Sequence, residues 1–123
     1  MSISKLKILI IDDEEDICRL LSRRLERLNF EVTYAYTLSA GIQEAMLFLP
    51  DGVFLDLNLP DGAGFSIIGE LKEIVPNCKI IISSAYDGSK ERNRAGLEGT
   101  DKFIGKPLGK EKIESVLKEL NLL

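Results

Sequence analysis

Asp12, Asp13, Asp56, Ser84 and Lys106 each stand where a run of apolar residues stops. The runs are LKILII before the acid pair, VFL before Asp56, KIIIS before Ser84 and KFIG before Lys106. If these runs are parallel strands of one sheet, all five residues reach the same edge. Three carboxylates, a hydroxyl and an ammonium gathered there are suited to a divalent cation and a phosphoryl group. Oxygen ligands with no Cys or His close by in the sequence select a hard ion, Mg²⁺ first and Mn²⁺ or Ca²⁺ after it. A carboxylate held against such an ion stays ionised and can attack phosphorus, giving an aspartyl phosphate.

Each residue also has a plainer explanation. Glu14, Glu15 and Asp16 continue the acid run, and acids in the first turn of a helix favour its dipole. Capping alone does not account for five consecutive acids, whose mutual repulsion erodes the few tenths of a kcal/mol that each contributes. Asp56 would serve equally well to open the turn Pro60-Asp61-Gly62. Ser84 reads as a cap or turn residue, with the small Ala85 leaving room beside it. Lys106 is an ordinary lysine until a phosphoryl group needs a second positive partner for its oxygens. Lys106-Pro107 is a candidate cis peptide, and Phe103 reads as strand filling. The order of the set along one alternating chain is what makes it specific.

The elements that must position these groups alternate strand and helix five times. Residues 7–11 are nearly continuous apolar, as in a strand covered on both faces. Ile17, Leu20, Leu21, Leu25 and Leu28 then form a helical stripe. Residues 31–36 alternate as an edge strand. Ile42, Ala45, Met46 and Leu49 mark a second helix, stopped by Pro50-Asp51-Gly52. A strand at 53–55 and the loop 56–62 precede a third helix carrying Ile67, Ile68, Leu71, Ile74 and Val75. Strands follow at 78–83 and 102–104, and Ile113, Val116, Leu117 and Leu120 define the last helix. Between them, residues 88–99 offer only Ala95 and Leu97 as apolar groups, and predict a short, marginal helix. Such a chain predicts an α/β fold, a five-stranded parallel sheet of order 2-1-3-4-5 with helices on both faces. Ligands then bind beyond the carboxyl ends, where strands one and three diverge.

The 123 residues make one domain, 1–123, without linker or repeat. A net charge of −4 argues against nucleic acid or anionic lipid as a direct partner, despite the basic run 90–94. The chain has no histidine, so it carries neither the usual general base nor a phosphohistidine of its own. Cys18 and Cys78 lack metal-ligand spacing and read as reduced thiols of a cytoplasmic protein. No apolar stretch approaches the length of a membrane span.

With these residues in hand, the chain resembles the receiver domain of two-component response regulators over nearly its whole length. Lys7-Ile-Leu-Ile-Ile-Asp-Asp-Glu is similar to that family's opening strand. Phe54-Leu-Asp-Leu-Asn-Leu-Pro-Asp-Gly-Ala-Gly64 is similar to its phosphoacceptor strand and loop. Ile81-Ile-Ser-Ser-Ala-Tyr86 resembles the hydroxyl-bearing strand, and Gly99-Thr-Asp-Lys-Phe-Ile-Gly-Lys-Pro107 the closing one. The resemblance implies a flavodoxin-like fold and a phosphorylation-dependent switch that is not a turnover enzyme. Asp56 would be the phosphoacceptor, and Asp12, Asp13, Asp56 and the backbone carbonyl of Asn58 would hold Mg²⁺. Ser84 and Lys106 would clamp the phosphoryl group, Phe103 would turn inward as Ser84 moves, and Asn58 and Tyr86 would tune the lifetime. The donor would be a sensor histidine kinase or a histidine phosphotransfer protein, and the output an effector domain or partner. Serine at 84 in place of the commoner threonine, and Leu108 in place of an aromatic, depart from the family pattern.

Two other readings compete. A haloacid-dehalogenase-type phosphohydrolase also uses an Asp nucleophile, then Ser or Thr, then Lys, with Mg²⁺. Here, however, Asn58 stands where its second acid belongs and no late acid pair follows. A phosphorylation-independent binding module of the same fold would not need every active-site residue type. A flavin site is weaker still, because the first strand-to-helix loop is acidic where a phosphate cradle needs glycine.

Overall fold

The computed structural model describes residues 4–85 and 99–123. The expected weak helix falls almost wholly outside the described residues, as do Tyr86 and the basic run 90–94. Strands β1 (Lys7–Ile11), β2 (Glu31–Ala35), β3 (Gly52–Asp56), β6 (Lys79–Ser84) and β7 (Lys102–Gly105) form one parallel sheet in the order β2-β1-β3-β6-β7. This is the predicted 2-1-3-4-5 order. A two-stranded hairpin, β4 (Asn58–Leu59) with β5 (Gly62–Ala63), lies in the loop after β3. The helices are α1 (Glu15–Arg27), α2 (Leu38–Phe48), α3 (Ile68–Ile74, entered through a 3₁₀ turn at Gly64–Ile67) and α4 (Lys110–Glu119).

Side chains on a strand alternate between faces, and the two faces carry separate cores. Ile8, Ile10, Phe54, Ile81 and Ile104 pack with Cys18, Leu21 and Leu25 of α1 and Ile113, Val116 and Leu117 of α4. Leu9, Ile11, Val53, Leu55, Ile80 and Ile82 pack with Leu38 and Ala45 of α2 and Ile68 and Leu71 of α3. Four consecutive residues of β1 are therefore buried, each contributing about 2 kcal/mol of apolar burial. That is why β1 reads as a continuous apolar run.

Two helical stripes differ from the expectation. On α1 the buried set is Cys18, Leu21, Ser22 and Leu25, while Leu20 is 52% exposed. The spacing i, i+3, i+4, i+7 holds, but it is centred one position away, with Cys18 and Ser22 filling it. On α2, Met46 and Leu49 are more than half exposed, because Leu38, Gly41 and Ala45 are the residues turned to the core. Leu49 caps that helix in the left-handed conformation, at φ 53°.

Gly64 is where the backbone sets the shape of the edge. A Cβ there would lie 2.3 Å from the Asp56 carbonyl oxygen. The Gly64 amide instead donates to the Leu57 carbonyl at 2.7 Å, folding the hairpin back over the end of β3. Gly64→Ala is expected to cost about 1–3 kcal/mol, read as a lower urea midpoint. Gly69→Ala, in α3 where a Cβ meets nothing within 4 Å, is expected to stabilise the fold by up to about 1 kcal/mol, read as a higher midpoint.

Candidate phosphoryl and metal site

Strand register brings the site together. Ile11 pairs with Leu55, so Asp12 and Asp56 leave adjacent strands at the same level. Asp56 pairs with Ser83, and Ser84 with Gly105, which places Lys106 one residue beyond. The Lys106 amide donates to the Ser84 carbonyl at 2.8 Å. All five residues thus stand along the carboxyl edge of the sheet.

Asp12 and Asp56 are both buried. One Asp12 oxygen accepts from the Glu14 amide at 2.9 Å, and the other from the Lys106 ammonium at 2.9 Å. The same ammonium lies 3.6 Å from an Asp56 oxygen and 3.6 Å from Glu14. Oxygens of Asp12, Asp13 and Asp56 all lie within 4.8 Å of one another. Asp13 is exposed, leaving an open side. An oxygen-only set with two fixed carboxylates and one facing solvent fits a hard divalent cation that keeps part of its water shell.

The electrostatics follow from burial. Asp56 is pushed up to about 6, first by loss of solvent and then by the charge of Asp12; Lys106 and the amides of Asn58 and Leu57 pull the other way. Lys106 is held above its ordinary value: burial works against the ammonium, but the Asp12 hydrogen bond and the charges of Asp12, Asp56 and Glu14 outweigh it. The cysteines take no part. Burial pushes both thiols up to about 12, and the Cys18 thiol donates to the Asp12 carbonyl at 3.3 Å.

The remaining predicted positions are less central. Ser84 is buried at the end of β6. Phe103 is half-buried and packs against the core on the α2–α3 side of the sheet. Asn58 is exposed in the hairpin. The Lys106–Pro107 peptide bond is cis.

Two acids behave differently from a sequence reading. Glu14 occupies the N-cap position of α1 without a side-chain capping bond, and its carboxylate faces Lys106 instead. Adjacency to the acid pair was the sole signal for this, and it does not distinguish a site carboxylate from a dipole-favouring one. Asp61 accepts from the Leu38 and Ser39 amides at 2.9 and 3.1 Å, tying the hairpin to the start of α2. Those bonds hold its carboxyl below the usual range.

A doubly wound parallel sheet with an acidic cluster, a hydroxyl and a lysine on its carboxyl edge defines a phosphoryl-switch domain. A family model described as the response regulator receiver domain matches residues 8–118. The chain belongs to that family, a class of phosphorylation-dependent signalling domains in two-component systems rather than turnover enzymes. It is 35% identical to the KDP operon transcriptional regulatory protein KdpE of Escherichia coli over 90% of this chain and 49% of that protein. It is 30% identical to the photosynthetic apparatus regulatory protein RegA of Rhodovulum sulfidophilum, over 89% of this chain and 60% of that one. The chain thus spans about half the length of the curated relatives it matches. A two-component response regulator from Clostridium difficile superposes with a TM-score of 0.90 at 26% identity, covering 95% of this chain and 96% of that one. A response regulator from Burkholderia pseudomallei, solved with a phosphorylated aspartic acid, calcium ion and citrate, gives a TM-score of 0.86 at 27% identity, over 92% and 66% of the two chains. The family leaves the phosphohydrolase reading without support. Among the described residues, no helix is long and apolar enough to cross a membrane.

Because the pKa of Asp56 in the fold, about 6, lies above the ordinary 3.8, its ionisation opposes folding. The native state is favoured below the ordinary value and loses that advantage as pH rises through about 6. In EDTA at pH 7.5, Asp56→Asn is therefore expected to be about 1–3 kcal/mol more stable than the parent chain. The gap should close as pH falls below about 4. Chemical denaturation across that range measures it, and equal stabilities at pH 7.5 would refute it.

Proposed function

We propose that Asp56 accepts a phosphoryl group from a phosphohistidine of a sensor histidine kinase or histidine phosphotransfer protein. The observation that carries this reading is the Lys106 ammonium, 2.9 Å from Asp12 and 3.6 Å from Asp56, beside three carboxylates that converge within 4.8 Å. Mg²⁺, or Mn²⁺ in its place, held by Asp12, Asp13, Asp56 and the Asn58 carbonyl, would neutralise charge on the phosphoryl oxygens.

In the transfer, an Asp56 oxygen forms a bond to phosphorus while the P–N bond breaks, its electron pair leaving with the imidazole. Lys106 already lies between Asp12 and Asp56, so it needs little movement to meet an oxygen of the incoming group. Ser84 donates its hydroxyl to another oxygen. Its shift toward the phosphate makes room for Phe103 to turn inward, repacking the face that includes β7 and α4; the weak helix expected over 88–99 lies almost wholly outside the described residues. Asn58 and Tyr86, the latter outside the described residues, occupy the positions that would tune how readily water removes the group. The readout passes to an effector domain or a separate output partner in the cytoplasm.

Incubation with acetyl phosphate and Mg²⁺ is expected to add one phosphoryl mass to the intact chain. The adduct should vanish with Asp56→Asn and with EDTA, and form at least tenfold more slowly with Lys106→Met. Wild-type labelling of Asp56→Asn would overturn the assignment of the acceptor. Labelling undiminished by EDTA would overturn the role of the metal.

A further inference from the structure

The helices α1 and α4 lie on the same sheet face and leave a cavity of about 360 Å³ between them. Its lining is Arg24, Arg27 and Leu28 from α1 and the residue after it, and Lys110, Ile113 and Glu114 from α4. Three cations face one carboxylate there, on a chain whose net charge is −4. Arg27 and Lys110 are exposed and form no ion pair among the described residues. Beneath them, Ile113 is buried and Leu28 half-buried, giving the cavity an apolar floor.

We infer that this groove binds an amphiphilic anion, a small molecule carrying a carboxylate or phosphate on an apolar body. The oxyanion meets Arg27 and Lys110, with guanidinium geometry suited to paired oxygens, and the body rests on Leu28 and Ile113. The volume lies at the small end of the range for small-molecule sites, about 300–1,000 Å³.

The groove is also wired to the phosphoryl site. The Arg24 guanidinium donates to the Leu108 carbonyl at 2.9 Å, and Lys112 donates to the carbonyls of Gly105 and Pro107 at 2.7 and 3.2 Å. Two basic side chains thus hold the segment that carries Lys106. An anion drawing Arg24 from Leu108 loosens that segment, so occupancy of the groove is felt at Lys106. This coupling rests on the role proposed for Lys106, whereas the binding itself does not.

The test uses the full chain in EDTA, with amide NMR shifts recorded against benzoate and phenylphosphonate. Benzyl alcohol and inorganic phosphate serve as the neutral and non-apolar controls. Saturable shifts at Leu28, Ile113 and Glu114 are expected with the two amphiphilic anions and not with the controls. The exposed double charge reversal Arg27→Glu/Lys110→Glu should weaken binding at least tenfold, while Asp56→Asn should bind as the parent does. Absence of saturable shifts, equal binding by benzyl alcohol, retention in the double variant, or shifts centred on Asp12 and Asp13 would each overturn the site. For the coupling, saturating benzoate is expected to change the acetyl phosphate labelling rate at least twofold in the parent and not in the double variant. An unchanged rate would overturn the coupling and leave the groove as a binding site alone.

Discussion

Asp12 and Asp56 are carboxylates taken almost wholly out of water, and one ammonium, that of Lys106, lies within reach of both. Each buried charge costs several kcal/mol unless it is paired, and Lys106 is a single cation shared among Asp12, Asp56 and Glu14. The balance is incomplete by construction. Asp56 pays the larger share, which is why its carboxyl is pushed up to about 6 while Asp12 has both oxygens hydrogen-bonded. A cluster in which one ammonium serves three carboxylates is receptive to a further cation.

The rest of the fold keeps that cluster from relaxing. Parallel pairing sets Asp12 one residue past Ile11, level with Asp56, and the two apolar cores hold the central strands between them. Register in such a sheet is strongly specified, because a slip of one residue would exchange the two faces of a strand. Gly64 lets the hairpin close against the Asp56 carbonyl, and Asp61 anchors that hairpin to α2. Asp101 does similar work further down the sheet, accepting from the Ile80 amide at 2.8 Å and from Lys72 at 3.5 Å.

Lys106 differs from the acids in how it is held. The carboxylates issue directly from central strands, whereas Lys106 follows the short edge strand β7 and is steadied by contacts of Gly105, Pro107 and Leu108 with α1 and α4. A rigid acidic half and a tethered cationic half are what a phosphorylation switch requires. On the proposed reading, the lysine's segment is the part placed to carry a change outward.

Much of this was legible in the residue order. Alternating runs of apolar strand and helix determined the α/β class, and the polar residue ending each run determined which groups meet, since parallel strands share one carboxyl edge. The helix faces were less legible: Leu20, Met46 and Leu49 match a 3.6-residue stripe yet face solvent, while Cys18 and Ser22 are buried. Apolar spacing tolerates a one-position rotation, and only packing against a particular sheet selects among rotations. Glu14 shows the same limit for charge, because adjacency in sequence does not say which of five acids turns toward the lysine. The chain by itself therefore determined the types of the candidate site groups and the edge they share. Tertiary structure alone decided how deeply each is buried, how one ammonium is divided among three carboxylates, and what stands behind it, because those depend on distances between segments up to 94 residues apart.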